Sequence, residues 1–106
     1  LEKSREATDA ANLRAAYAEV TVAALTEAET DDVNTKISKG TDTDGNATWT
    51  KEVKLVQQKN DWQNSAYTTN GIGGITVTND IAKKGGTVKV VYTETKGVSF
   101  ALKAGG

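Results

Sequence analysis

Two periods divide the chain. Over residues 1–29 the apolar positions Ala10, Leu13, Tyr17, Val20, Ala24 and Ala28 recur at intervals of three and four, the spacing of one helix face. Ala7, Ala11, Ala18, Val22 and Leu25 gather on a neighbouring stripe, while Arg5, Asp9, Asn12, Glu19 and Glu27 share the remaining arc with Ala16 and Ala23. Alanine dominates and no Gly or Pro interrupts, so propensity agrees with periodicity. The spacing predicts a helix over 1–29 with more apolar surface than one packing partner can cover.

A polar connector over 30–46 follows. Thr30-Asp31-Asp32 can close the first helix or cap a short second one, and Val33 with Ile37 suits one more helical turn before Lys39-Gly40 stops it. From Ala47 the period becomes two. Trp49, Val53 and Leu55 alternate with Thr50, Glu52 and Lys54, predicting a half-buried strand that ends near Gln58. Residues 59–74 hold Trp62, Tyr67 and Ile72 among Asn, Thr and Gly, an ordered loop with aromatic anchors. Ile75-Thr76-Val77-Thr78 is expected as a short strand.

Val88, Val90 and Tyr92 then alternate with Lys89, Val91 and Thr93, and Val98, Phe100 and Leu102 with Ser99, Ala101 and Lys103. The link Glu94-Thr95-Lys96-Gly97 places a glycine where a left-handed residue is needed, which predicts a hairpin. The closing Ala104-Gly105-Gly106 is expected to fray. One helix followed only by strands defines an α+β class: a long N-terminal helix across an antiparallel sheet of three to four strands, in one domain, with the sheet region at 47–103. Leu13, Tyr17, Val20, Val53, Leu55, Val88, Val90, Phe100 and Leu102 are expected to share its core.

Composition removes several functions. A formal net charge of −1 leaves no basic footprint for a phosphate backbone, so no nucleic-acid partner is expected. The chain has no His and no Cys, hence no Ser-His or Cys-His nucleophile pair, no thiolate metal site and no disulfide. Neither an enzyme nor a cofactor or metal protein is expected. No apolar run is long enough to span a bilayer.

Three local motifs carry weaker suggestions. Asp42-Thr43-Asp44-Gly45-Asn46 starts like a calcium loop, but glycine falls fourth instead of sixth and the twelfth position is Val53 in place of a bidentate Glu. A turn feeding a strand explains it better. Gly71-Ile72-Gly73-Gly74 meets no phosphate-loop or dinucleotide spacing and reads as a loop with positive φ angles. Trp49, Trp62 and Tyr67 could stack on sugars, although a small domain more often uses its few aromatics as anchors.

The run Leu1-Glu-Lys-Ser-Arg-Glu-Ala-Thr-Asp-Ala-Ala-Asn-Leu-Arg-Ala-Ala-Tyr17, above all Arg5, Asp9 and Asn12-Leu13-Arg14, ahead of an antiparallel sheet, resembles the exported headpiece of type IV pilins and pseudopilins. The lack of cysteine is most similar to Gram-positive members. The resemblance implies a helix that continues upstream of Leu1 into an apolar segment, which anchors the subunit in the membrane before assembly and forms the filament core afterwards. It implies a structural subunit of an extracellular surface filament serving adhesion, motility or DNA uptake, with other pilin subunits as partners. The family's processing site, apolar stretch and C-terminal disulfide loop are not in this chain. On this reading Ala7, Ala11, Ala18, Val22 and Leu25 are the assembly interface. The alternative is a monomeric cell-surface domain that binds sugar or protein through Trp62, Tyr67 and the glycine loop.

Overall fold

The computed structural model describes residues 1–28 and 34–104. Helix α1 (Glu2–Leu25) is followed by strands β1 (Ser38–Thr41) and β2 (Ala47–Lys54), a short helix α2 (Ala66–Asn70), a 3-10 turn (Asn79–Ile81), and strands β3 (Thr87–Thr93) and β4 (Gly97–Leu102). The strands form one antiparallel meander in the order β1-β2-β3-β4. The α+β class expected from the change of period is the observed one, with α1 lying across β2 and β3.

The helix ends at Leu25, short of the expected 29, for a backbone reason. Ala28 N–H donates to Ala23 O and Glu27 N–H to Ala24 O, both at 3.0 Å, with Glu27 at φ 51°. This pair of bonds is a Schellman stop, in which Glu27 takes the left-handed position that usually signals itself as Gly. Glu29, Thr30-Asp31-Asp32 and Val33 lie outside the described residues, so the expected turn pairing Val33 with Ile37 does too, as does the fraying expected at Gly105-Gly106. Ile37 is buried and leads directly into β1, a strand that the polar connector gave no reason to expect.

Asp42 makes β1 possible. Its Oδ1 accepts N–H bonds from Asp44 at 2.9 Å and Asn46 at 2.8 Å, and its own N–H donates to Asn46 O at 2.9 Å. The turn closed this way carries Gly45 at φ 85° and sets Thr41 opposite Ala47. The hairpin between β3 and β4 follows expectation: Thr93 pairs with Gly97, and Gly97 adopts φ 75°.

Two further expectations change. Regular pairing in β2 ends at Lys54 rather than Gln58. Ile75-Thr76-Val77-Thr78 is not a strand. Gly73 and Gly74, at φ 60° and 83°, fold Ile75 back onto Ile72 through reciprocal N–H bonds of 2.9 and 3.0 Å, leaving one isolated bridge. Two positive φ values in succession are what a tight I′-type reversal requires.

Leu13, Val20, Val53, Leu55, Val88 and Val90 are buried together as expected, joined by Ala10, Ala16, Ala24, Trp49 and Ile72. Phe100 is half-buried against this core; Tyr17, expected inside, is half-buried outside it, its ring beside Gly73; and Leu102, also expected inside, is 39% exposed because β4 is an edge strand beyond the main cover of α1. Asp9 and Ala16, assigned by pattern to the polar arc, are fully buried. At roughly 100° per residue the buried face is therefore rotated from the expected stripe toward that arc, and the Ala7–Leu25 stripe lies roughly 150° from its centre, nearly opposite rather than adjacent.

Candidate functional site

The stripe itself is open. Ala7, Ala11 and Ala18 are exposed, Val22 is 61% and Leu25 72% exposed. Near its C-terminal end Ala18, Val22 and Ala23 form one wall of a groove of about 330 Å³ whose other wall includes Ile37. The side chains are small or branched and uncharged, and only Glu19 puts a carboxylate on the lining, where it is held by Lys51 Nζ at 2.8 Å. Such a surface can accept a close apolar neighbour.

The opposite face of the first helical turns is built from acid. Glu2, Glu6 and Asp9 stand at spacings of four and three, so they stack along one side. Each carboxylate accepts two consecutive backbone N–H groups of the connection between β2 and β3. Asp9 takes Val56 N at 2.7 Å and Gln57 N at 2.9 Å. Glu2 takes Gln58 N and Lys59 N, each at 3.0 Å. Glu6 takes Gln63 N at 2.6 Å and Asn64 N at 3.0 Å. Glu6 and Asp9 are fully buried, which is tolerated because charge-assisted amide bonds replace their water.

Burial pushes the Asp9 carboxyl above its ordinary value of 3.8; the Val56 and Gln57 amides oppose that rise, and the charges of Glu2 and Glu6 add to it. Desolvation acts upward on Glu2 as well, but its two amide bonds and Arg5 outweigh it and hold the carboxyl below 4.5. Arg5 Nη1 stands 3.6 Å from Glu2 Oε1. The three acids are structural clamps, each already filled by backbone donors. Sequence patterning had placed Asp9 in solvent and given Glu6 no role; the signal available was the regular acidic spacing on a helix otherwise made of alanine.

The other candidates resolve into local structure. Both Asp42 oxygens are occupied within their own turn, Oδ2 by Asn46 Nδ2 at 3.3 Å, and the Asn46 N–H above all holds the carboxyl below its ordinary value. Among the described residues no three His, Cys, Asp or Glu side chains are grouped to hold a metal. Trp49 and Trp62 are buried: Trp49 Nε1 donates to Ala28 O and Trp62 Nε1 to Thr78 O, at 2.9 and 3.0 Å. The Trp62 ring sits 5.0 Å from that of half-buried Tyr67. They anchor loops and offer no open platform. Gly71 permits its turn because a Cβ there would come within 2.4 Å of Ile75 O. No protein-family model, curated protein or solved structure matches the chain.

Proposed function

We propose that this chain is the headpiece of a structural subunit, a pilin or pseudopilin, of a type IV pilus-like surface filament. The observation that carries the reading is the open apolar stripe of α1, on the side of the helix turned away from the sheet. A helix sealed on one face and left apolar on the other has surface to bury against neighbours. Ala7, Ala11, Ala18, Val22 and Leu25 are the proposed contact with other subunits, the small alanines allowing close approach. The reading requires an apolar segment of about 20 residues joined to α1 upstream, which holds the subunit in the membrane before assembly. The alternative of a monomeric binding domain rests on Trp62 and Tyr67, of which Trp62 is covered.

Stability and assembly separate in the test. Ala18→Glu and Val22→Asp place charge on exposed positions, so thermal unfolding of the chain should shift by no more than about 0.5 kcal/mol. In the full-length subunit the same charges enter a packed contact, where an unpaired charge costs several kcal/mol, and cells should lose surface filaments while keeping the subunit. Normal filaments from both variants, or a gene without an apolar segment before Leu1, overturn the reading.

A further inference from the structure

The sheet has two outer strands, and they are unlike. β1 is four residues long and carries Lys39, whose Nζ lies 5.4 Å from the Trp49 ring. β4 runs for six residues, Gly97-Val-Ser-Phe-Ala-Leu102, without a charge or a proline. Long uncharged edges are the ones that other strands join, and lysine is a common way of blunting them.

The register fixes which backbone groups of β4 are used. Leu102 stands opposite Val88, and Lys103 N–H donates to Thr87 O at 2.8 Å. The alternation of an antiparallel ladder then turns the N–H and C=O of Ser99 and Ala101 toward β3, and those of Val98, Phe100 and Leu102 outward. Among the described residues no other backbone segment or side chain bonds to these three. Their side chains lie on the helix side of the sheet, where Val98 and Phe100 are half-buried and Leu102 is exposed.

We propose that β4 is a self-pairing edge, at which two copies of this chain join β4 to β4 antiparallel about a two-fold axis at Phe100, making one continuous sheet. The occupant follows from the strand. A two-fold antiparallel pair must set outward-facing residues against one another, and the register centred on Phe100 pairs all three within β4. Phe100 meets Phe100 of the second copy, Val98 meets Leu102, and Leu102 meets Val98. The flanking lysines fall opposite neutral residues, Lys103 against Gly97 and Lys96 against Ala104, so no like charges face each other. A net charge of −1 adds little repulsion between copies. Pairing also covers the exposed side chain of Leu102 with Val98. This contact is independent of the α1 stripe, and Ala18→Glu leaves it intact.

The test is sedimentation equilibrium of the chain between about 10 μM and 1 mM, the range of weak association, joined to amide exchange at both ends of that range. A dimer is expected, with the amides of Val98, Phe100 and Leu102 slowing at least about tenfold once nine-tenths of the chains are paired and that of Thr41 unchanged. Leu102→Pro removes one outward N–H while sparing the ladder to β3, and Leu102→Lys puts a charge on the edge. Both should sediment as monomers with an unchanged far-ultraviolet spectrum. A monomer throughout the range overturns the proposal. So does a dimer whose protected amides lie in β1 or α1, or one that survives in both variants. If a variant fails to fold, the exchange map of the unmodified chain decides by itself.

Discussion

The two halves of α1 rest on different parts of the domain and are held by different physics. From Leu13 onward the contact is apolar: Leu13, Ala16, Val20 and Ala24 lie against the strands and lose their exposure to water. Before Leu13 only Ala10 joins the apolar core, and the contact is mainly charge-assisted and directional, with Glu2, Glu6 and Asp9 each accepting two amides from residues 56–64. Apolar packing tolerates small rotations of the helix, whereas paired N–H bonds fix both the rotation and the height of the first turns. The clamp also explains how the long connection between β2 and β3 stays ordered although it contains few strand pairs: its exposed donors are satisfied by a helix that lies far away in sequence.

The comparison is sharpened first by one substitution in each half. Leu13→Ala should destabilise by about 2–5 kcal/mol, since it removes a fully buried side chain and leaves a cavity. Glu6→Ala leaves the part-buried Gln63 and Asn64 amides without their carboxylate acceptor, at about 1–3 kcal/mol for the pair because water reaches them in part. Urea unfolding measures both. A loss below about 1 kcal/mol for Glu6→Ala beside a full loss for Leu13→Ala would mean that the clamp orients the helix without stabilising the fold.

The next effect is the response to acid. Glu2 and Asp42, whose carboxyls are held below their ordinary values, contribute stability that is present above 4.5 and 3.8 respectively and is lost as pH falls through their folded-state values. Asp9 has the opposite sign. Its folded-state value is raised, so its charged form is the costly one, and protonation as pH falls toward 3.8 favours the folded state. Asp9→Asn should therefore steepen the loss of stability as pH is lowered from about 6 to 3, read as urea midpoints at each pH. An unchanged slope would show that Asp9 does not differ from an ordinary carboxyl.

The smallest effect sits where the apolar half stops. Glu27 holds a left-handed conformation at φ 51°. Glu27→Gly relieves that strain and should raise the melting temperature by an amount equivalent to at most about 1 kcal/mol, part of the gain being offset by the freer unfolded chain. A fall would show that the Glu27 side chain contributes more than its backbone costs.

What the sequence disclosed follows the same division. Leu13, Val20, Val53, Val88 and Val90 were legible because burial of apolar groups writes a period into the chain, and the hairpin at Gly97 was legible because one residue type suits its geometry. Asp9 was misread because a pattern that treats carboxylates as solvated cannot see amides brought to them by folding. β1 was missed for a related reason. Ser38-Lys39-Gly40-Thr41 has no alternation of its own, and its pairing is imposed by the Asp42 turn and by β2. Ile75 and Val77 alternate like a strand, yet two glycines just before them reverse the chain. Among the candidate sites, the exposed stripe was readable from spacing, while its position opposite the core depended on Asp9 and Ala16 turning inward.

The clamp bonds join residues 47 to 58 positions apart in the chain, whereas the β3–β4 hairpin closes over a three-residue turn. Closing so wide a loop costs about 2 kcal/mol more chain entropy than closing the hairpin. Residues 60–62 are also tied to residues 78–84, but the first helical turns have no side-chain cap, and the amides of Val56, Gln57, Gln63 and Asn64 have the carboxylates as their acceptors. The first turns of α1 and residues 56–64 are thus one cooperative unit. Hydrogen exchange at those four amides reports the detachment of the helix from the domain, not a local opening of the loop in which they lie.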